Sequence, residues 1–283
     1  MALVNTRALV LQSFPYSESS KILRLYTLDW GLRSVIAKGA LRPKSRYGGV
    51  LEPFTEGVAT FYLKEGRDLH TLSGFDLLRS RQALGRSLAA FAGASLLAEL
   101  VLRYATEEPH PALYETLVAA WDLIAEAGTG GEDAARAVLT ATWTLVALLG
   151  WEPQTDHCIV CERPLVPTEA VRFDTRAGGV ACLRCRPAGR VIDAASRAEL
   201  TRMVRGNTPQ GPLSNPGLHR ALLRAFLEMH VSEERPFRSL DLFLDQVGGD
   251  GGPAAASEEG DAEDADAAED GGDWRSSAEP RGE

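Results

Sequence analysis

The chain has 283 residues, 45% of them hydrophobic and 24% charged, with a formal net charge of -9, which is ordinary for a globular protein and long enough for two domains. Residues 1–7 hold no basic segment leading into an apolar core, and the apolar stretch 89–102 is interrupted by Gly93 and Glu99. Neither a signal peptide nor a membrane span is therefore expected, and a cytoplasmic location fits best.

The charge is segregated along the chain. Residues 250–283 hold twelve acids and two arginines, a net of -10, whereas residues 1–80 hold eleven basic and seven acidic side chains, a net of +4. A mildly basic front and a strongly acidic end fit a nucleic-acid partner and a charged tail.

Five strands are predicted in the first eighty residues: 6–13 (TRALVLQS), 20–28 (SKILRLYTL), 31–38 (GLRSVIAK), 54–64 (FTEGVATFYLK) and 69–75 (LHTLSGF). The fourth alternates Val58, Thr60 and Tyr62 against Ala59, Phe61 and Leu63. Short β-branched and aromatic runs separated by Gly, Pro and Asp indicate an antiparallel unit. Five strands suit a small closed barrel of the OB type, with an SH3-like barrel as the alternative.

From residue 81 the period changes. Leu84, Leu88, Phe91, Ser95, Ala98 and Leu102 predict a helix over 82–105; further helices are predicted over 111–127, 132–149, 194–205, 216–232 and 239–247. Their apolar stripes read as the core of a bundle rather than a cofactor box. After Val247 the chain turns to Gly, Pro, Ala, Asp and Glu, a composition too polar to fold, so 248–283 is expected to be disordered. The expected fold class is α+β and multidomain. It comprises an OB-fold barrel (1–80), an all-helical domain (81–247) carrying a metal module at about 155–187, and the tail (248–283).

That module holds every cysteine of the chain, as Cys158-Ile-Val-Cys161 and, twenty residues on, Cys182-Leu-Arg-Cys185. Each two-residue gap lets a tight turn aim both sulfurs at one point, and two such turns make the thiolate tetrahedron of a structural Zn2+ site. Two redox C-x-x-C pairs, or disulfides, are the alternative. His157 abuts Cys158 and is the one candidate to compete as a ligand, but four thiolates suffice without it. Four sulfurs leave no open position for a catalytic water.

The stretch 38–49 (KGALRPKSRYGG) brings Lys38, Arg42, Lys44 and Arg46 into nine residues without an acid. Placed as a loop beside a small barrel, it is an element that tracks a phosphate backbone; a solvated loop is the plainer reading. Lys21, Arg24 and Arg33 on neighbouring strands extend the expected groove. Trp30, Tyr47 and Tyr62 are candidates to stack on bases, though aromatics in a small barrel are more often core. Arg163, Arg172, Arg176, Arg184, Arg186 and Arg190 form a second basic cluster around the cysteines. The five histidines are scattered, and the chain has no H-E-x-x-H, Walker A, G-x-S-x-G or dinucleotide fingerprint, so no enzyme is expected.

The opening TRALVLQSFPYSESSKILRLYTLDWG, then VIAKGALRPKSRYGGVLEPF, then a helical body with the C-x2-C pair insertion, resembles the RecO family of DNA repair proteins over about residues 1–247. The resemblance implies an N-terminal OB-fold, a helical domain and an embedded zinc module held by Cys158, Cys161, Cys182 and Cys185. It implies a recombination mediator without catalytic turnover that binds single- and double-stranded DNA, anneals complementary strands and, with RecR, helps load RecA onto strands coated by single-stranded DNA-binding protein (SSB). It also implies binding of the acidic C-terminal SSB peptide, for which no short motif marks a pocket. The basic loop carries over to Lys38, Arg42, Lys44 and Arg46. A zinc-stabilised protein-interaction scaffold with incidental basic residues is the competing expectation.

Overall fold

Alternating inward and outward side chains close the first five strands into a barrel. In a computed structural model that describes residues 2–127, 131–185, 190–231 and 235–248, these are β1 (Ala2–Tyr16), β2 (Ser20–Thr27), β3 (Gly31–Ala37), β4 (Glu56–Leu63) and β5 (Leu69–Arg79). Their order is β1-β2-β3-β5-β4, with β4 returning to β1 and a parallel contact between β3 and β5. This is the five-stranded Greek-key barrel of the OB type. Val10, Leu23, Leu25, Val35, Ala59 and Phe61 fill its interior. The opposite face of β1 and β2 presents Leu9, Leu11 and Tyr26 to the helical core.

β1 outruns its expected bounds of 6–13 because it serves two partners: residues 2–9 pair with β4 and 8–16 with β2. Its ends carry mostly exposed side chains, so backbone pairing sets their length and no burial pattern announces it.

The helices are α1 (Leu88–Tyr104), α2 (Pro111–Glu126), α3 (Gly131–Leu148), α4 (Ala194–Val204), α5 (Pro216–Phe226) and α6 (Arg238–Val247). Side-chain acceptors cap four of them: Ser87, His110, Asp193 and Asn215 bond the amides of Ala90, Leu113, Ser196 and Leu218, satisfying donors that the first helical turn leaves open. The long helix expected over 82–105 is interrupted. Gln82–Arg86 is a 3-10 turn, and Ser87 is extended so as to cap α1. Likewise α5 passes into a π-helical turn at Leu227–Val231. Gly93 lets α1 approach α3: a Cβ there would meet Val138 Cγ2 at 2.3 Å.

The helical half also carries a second sheet that the sequence pattern does not reveal, with β6 (Val171–Asp174), β7 (Gly179–Cys182) and β8 (Arg190–Ile192) in the order β7-β6-β8. Runs of three and four residues are too short for alternation to register. Phe173 of β6 packs edge-on against Phe226 of α5, with ring centroids 6.2 Å apart. Barrel and helices belong to one compact unit, Met1–Asp250. The expected disordered tail lies, from residue 249, outside the described residues.

A buried polar knot joins the barrel to the helices. Glu56 on β4 accepts from Arg7 Nη2 (2.6 Å), Arg81 Nη2 (3.2 Å) and Tyr114 Oη (3.4 Å). Arg81 Nε donates to Asp122 of α2 at 2.7 Å, and Arg79 bonds the same carboxylate. At the start of β3, level with Gly57 through Thr27 and Ala8, Gly31 has φ +60 and lies where a Cβ would come within 2.5 Å of the Glu108 carbonyl. Only glycine admits the α1–α2 connection so close.

Candidate metal centre and nucleic-acid interface

The four cysteines, which the sequence places in two separate turns, converge. Their Sγ atoms all lie within 4.8 Å of one another. The first turn is closed by the Glu162 N–H donating to the Cys158 carbonyl (2.8 Å), with Glu162 at φ 58, and the second by the Cys185 N–H donating to the Cys182 carbonyl (3.0 Å). β7 brings them together: the Ile159 N–H donates to the Val180 carbonyl at 3.0 Å, and the Cys182 N–H donates to Cys158 Sγ at 3.3 Å.

Burial pushes the Cys158 thiol up, but the N–H groups of Cys161, Cys182 and Val160 outweigh it and hold it at about 6. Hydrogen bonding from Cys182 and Cys161 pushes Cys185 up to about 12. Four thiols so close cannot all ionise without a cation among them, and a divalent ion removes the conflict. Tetrahedral bonds of about 2.3 Å set sulfur separations of about 3.8 Å, so the donor set fits a closed thiolate site. His157 is not part of the cluster. One convergent cluster also argues against two independent redox pairs.

The basic loop is a chain of tight turns rather than a slack excursion. The Arg42 N–H donates to the Gly39 carbonyl, Ser45 to Arg42, Gly48 to Ser45 and Val50 to Tyr47, at 2.9–3.3 Å. Tyr47 anchors it: the side chain is 3% exposed among the barrel core residues, and its Oη donates to the Leu72 carbonyl at 3.2 Å. That position makes Tyr47 core and takes it out of reach of a base. Lys38, Arg42, Lys44 and Arg46 are all exposed. Arg46 lies over the Tyr47 ring at 5.0 Å, while Lys38, Arg42 and Lys44 have no acidic partner among the described residues.

The three strand cations fare differently. Lys21 sits at the foot of the loop, paired with Glu52 at 2.6 Å. Arg24 is half-buried on β2, with its Nε unpartnered among the described residues. Arg33 lies at the far end of the β2–β3 ladder, opposite Leu25, where Lys21 is opposite Ala37. Its guanidinium pairs with the Glu107 carboxylate at 2.5 Å and donates to the Glu107 carbonyl at 3.1 Å. It clamps the barrel to the α1–α2 connection and is not brought together with the loop. Trp30 and Tyr62 are half-buried.

Sequence reasoning passed over the β4–β5 connection, where Arg67 is exposed and Lys64 half-buried. β5 leaves it paired with β3, Leu69 opposite Ser34, so these cations border the strand 2–3 face that OB barrels use for oligonucleotides. The assigned barrel topology is the signal that finds them. In the second basic cluster Arg163 pairs with Glu169 at 3.0 Å, Arg176, Arg184 and Arg190 are exposed, and Arg186 lies outside the described residues. Among the described residues no helix is long and apolar enough to cross a membrane.

Two family models match the chain, Recombination protein O N terminal over residues 1–81 and Recombination protein O C terminal over 85–241. The chain is 32% identical over 249 residues to the DNA repair protein RecO of Anaeromyxobacter sp. (strain Fw109-5), covering 85% of this chain and 94% of that relative. It is 34% identical over 251 residues to the DNA repair protein RecO of Synechococcus elongatus, covering 83% of this chain and 92% of the relative. With both halves matched in order and relatives aligned over nearly their full length, the chain belongs to the RecO family of DNA repair proteins.

Proposed function

We propose that this protein serves DNA repair as a recombination mediator without catalytic turnover. It binds single- and double-stranded DNA on the barrel, anneals complementary strands and, with RecR, helps load RecA onto SSB-coated single strands, contacting the acidic SSB C-terminal peptide. The observation that carries the reading is the exposed, acid-free run Lys38, Arg42, Lys44 and Arg46, braced by Tyr47 on an OB barrel. Annealing requires two polyanions to approach, and cations that neutralise their phosphates lower the repulsion while leaving the bases free to pair.

In this reading residues 1–80 are the nucleic-acid domain, with Arg24 and Lys21 extending the loop surface and Lys64 and Arg67 added to it. Residues 81–247 are the helical domain, and 248–283 a solvating tail. Cys158, Cys161, Cys182 and Cys185 hold one structural Zn2+, which supplies a fixed crosslink between the two cysteine turns. The test is annealing of complementary oligonucleotides coated with SSB, with and without the protein. Acceleration is expected, and an unchanged rate would sink the mediator reading.

A further inference from the structure

Where the basic loop ends, the chain borders a cavity of about 340 Å3, within the range of about 300–1,000 Å3 usual for sites that enclose small ring systems. Gly48, Gly49, Phe54, Phe91, Ser80 and Gln82 are among its lining residues, and the one acid there, Glu52, is paired with Lys21 at 2.6 Å. Both glycines have positive φ and open space where a Cβ would stand.

Phe54 is the unusual residue. Its φ is +68, the left-handed region that a bulky side chain adopts only when its surroundings impose it, and such strain gathers at functional sites. Its N–H donates to the Val10 carbonyl at 2.8 Å, and its carbonyl accepts from Arg81 Nη1 at 3.1 Å. Held there, its ring meets Trp121 at 5.2 Å and Phe91 at 5.6 Å, both edge-on. Phe91, 41% exposed, is thereby a braced aromatic surface at the cavity wall.

From this geometry we infer that the cavity receives one unstacked base of a DNA single strand, stacked on Phe91, while the loop cations hold the phosphates beside it. The inference rests on the proposed DNA surface and adds to it a contact that single strands make and duplexes do not. Arg42, Lys44 and Arg46 immediately precede the two glycines, so a backbone neutralised by them delivers its next base to the opening. Gln82 and Ser80 each offer both a donor and an acceptor, which suits any base edge. Arg81 is committed to Glu56 and Asp122 and takes no part.

The experiment compares the full chain with its Phe91→Ala and Phe91→Tyr variants, binding a single-stranded oligonucleotide carrying 2-aminopurine and a matched duplex. Phe91→Ala is expected to weaken single-strand affinity by about 5- to 150-fold, the range of one base–aromatic stack, with duplex affinity and salt dependence unchanged. Phe91→Tyr is expected to retain affinity, and wild type, unlike Phe91→Ala, to change 2-aminopurine fluorescence on binding. Equal single-strand affinity in Phe91→Ala, equal losses for both DNA forms, or the same fluorescence response in wild type and Phe91→Ala overturns the inference. So does a Phe91→Ala variant that loses an acidic, aromatic-ended peptide but keeps single strands, for then the cavity is a peptide site. Failure of wild type to bind single strands at all removes the DNA surface itself, a result distinct from each of these.

Discussion

The Glu56 carboxylate of the barrel and the Arg81 guanidinium at the start of the helical half meet at 3.2 Å with side chains only 4% and 2% exposed. Each ion has further partners, so the pair is enclosed but satisfied: Arg7 and Tyr114 on the carboxylate, Asp122 and the Phe54 carbonyl on the guanidinium. Such a pair says little about net stability, but removing one member strands the other in a dry site. Arg81→Ala is therefore expected to destabilise the fold by about 3–5 kcal/mol, measured by denaturant unfolding. A change below 1 kcal/mol, on the order of a surface pair, would show that the joint is not held this way.

The loop cations make a prediction about salt. Single-strand affinity falls by about 0.7 logarithmic units per neutralised phosphate for each tenfold rise in salt. Replacing Lys38, Arg42, Lys44 and Arg46 by Ala is expected to lower affinity and flatten that slope by up to roughly 3, with thermal unfolding unchanged because all four are exposed. Arg33→Ala is the contrasting variant, since its side chain is 10% exposed and paired with Glu107; its slope should stay at the wild-type value. An identical slope in the quadruple variant would place the DNA elsewhere.

These contrasts mark what the residues alone reveal. The barrel was legible because Ala59 and Phe61 alternate with Val58, Thr60 and Tyr62 along one strand, and the convergence of the four cysteines because their spacing constrains sulfur geometry whatever the surrounding fold. The pairing of Lys21 with Glu52 and of Arg33 with Glu107 was not, because those partners lie 31 and 74 residues away and only the closed barrel brings them near. The cavity beside Phe91 has no local signature either: its walls come from the end of one loop, the end of β5 and the first turn of α1. The small sheet in the metal module was hidden by the shortness of its strands.

A buried histidine of the helical half gives a pH prediction. His219 of α5 is fully buried, its Nε2 lies 2.8 Å from Glu199 of α4, and its Nδ1 has no hydrogen-bond partner among the described residues. Burial holds the imidazole below its ordinary value of 6.5, against the opposing pull of Glu199 and the more distant Asp193. The folded state thus resists a proton that the unfolded chain accepts. The contribution of His219 to stability is flat above about pH 6.5 and falls as pH drops below it toward the folded-state value; His70, likewise depressed by burial, adds a loss of the same sign. The depressed Asp193, held down by the Ser196 N–H, acts only at more acidic pH. His219→Gln should remove the loss below pH 6.5 in the difference between the two stability profiles; parallel profiles would show that His219 titrates normally.

Metal removal tests the cysteine cluster through its mechanical connections. Ile159 in the first cysteine turn is bonded to β7, β6 carries Phe173 onto Phe226 of α5, and Phe226 also meets Trp143 of α3 at 5.1 Å. An ion that joins the two turns therefore braces a path from the module into the helical core, while the barrel, with its own interior, is not on that path. One zinc ion per chain is expected by elemental analysis, and metal binding to such a site is folding free energy. Chelation, or Cys158→Ser, should lower the unfolding temperature and relax the helical half. DNA affinity should persist under conditions where the barrel stays folded, because the loop cations and Tyr47 owe nothing to the cluster. A fully folded, metal-free protein with unchanged unfolding would remove zinc from the account, whereas loss of DNA binding ahead of any unfolding would place the module on the DNA.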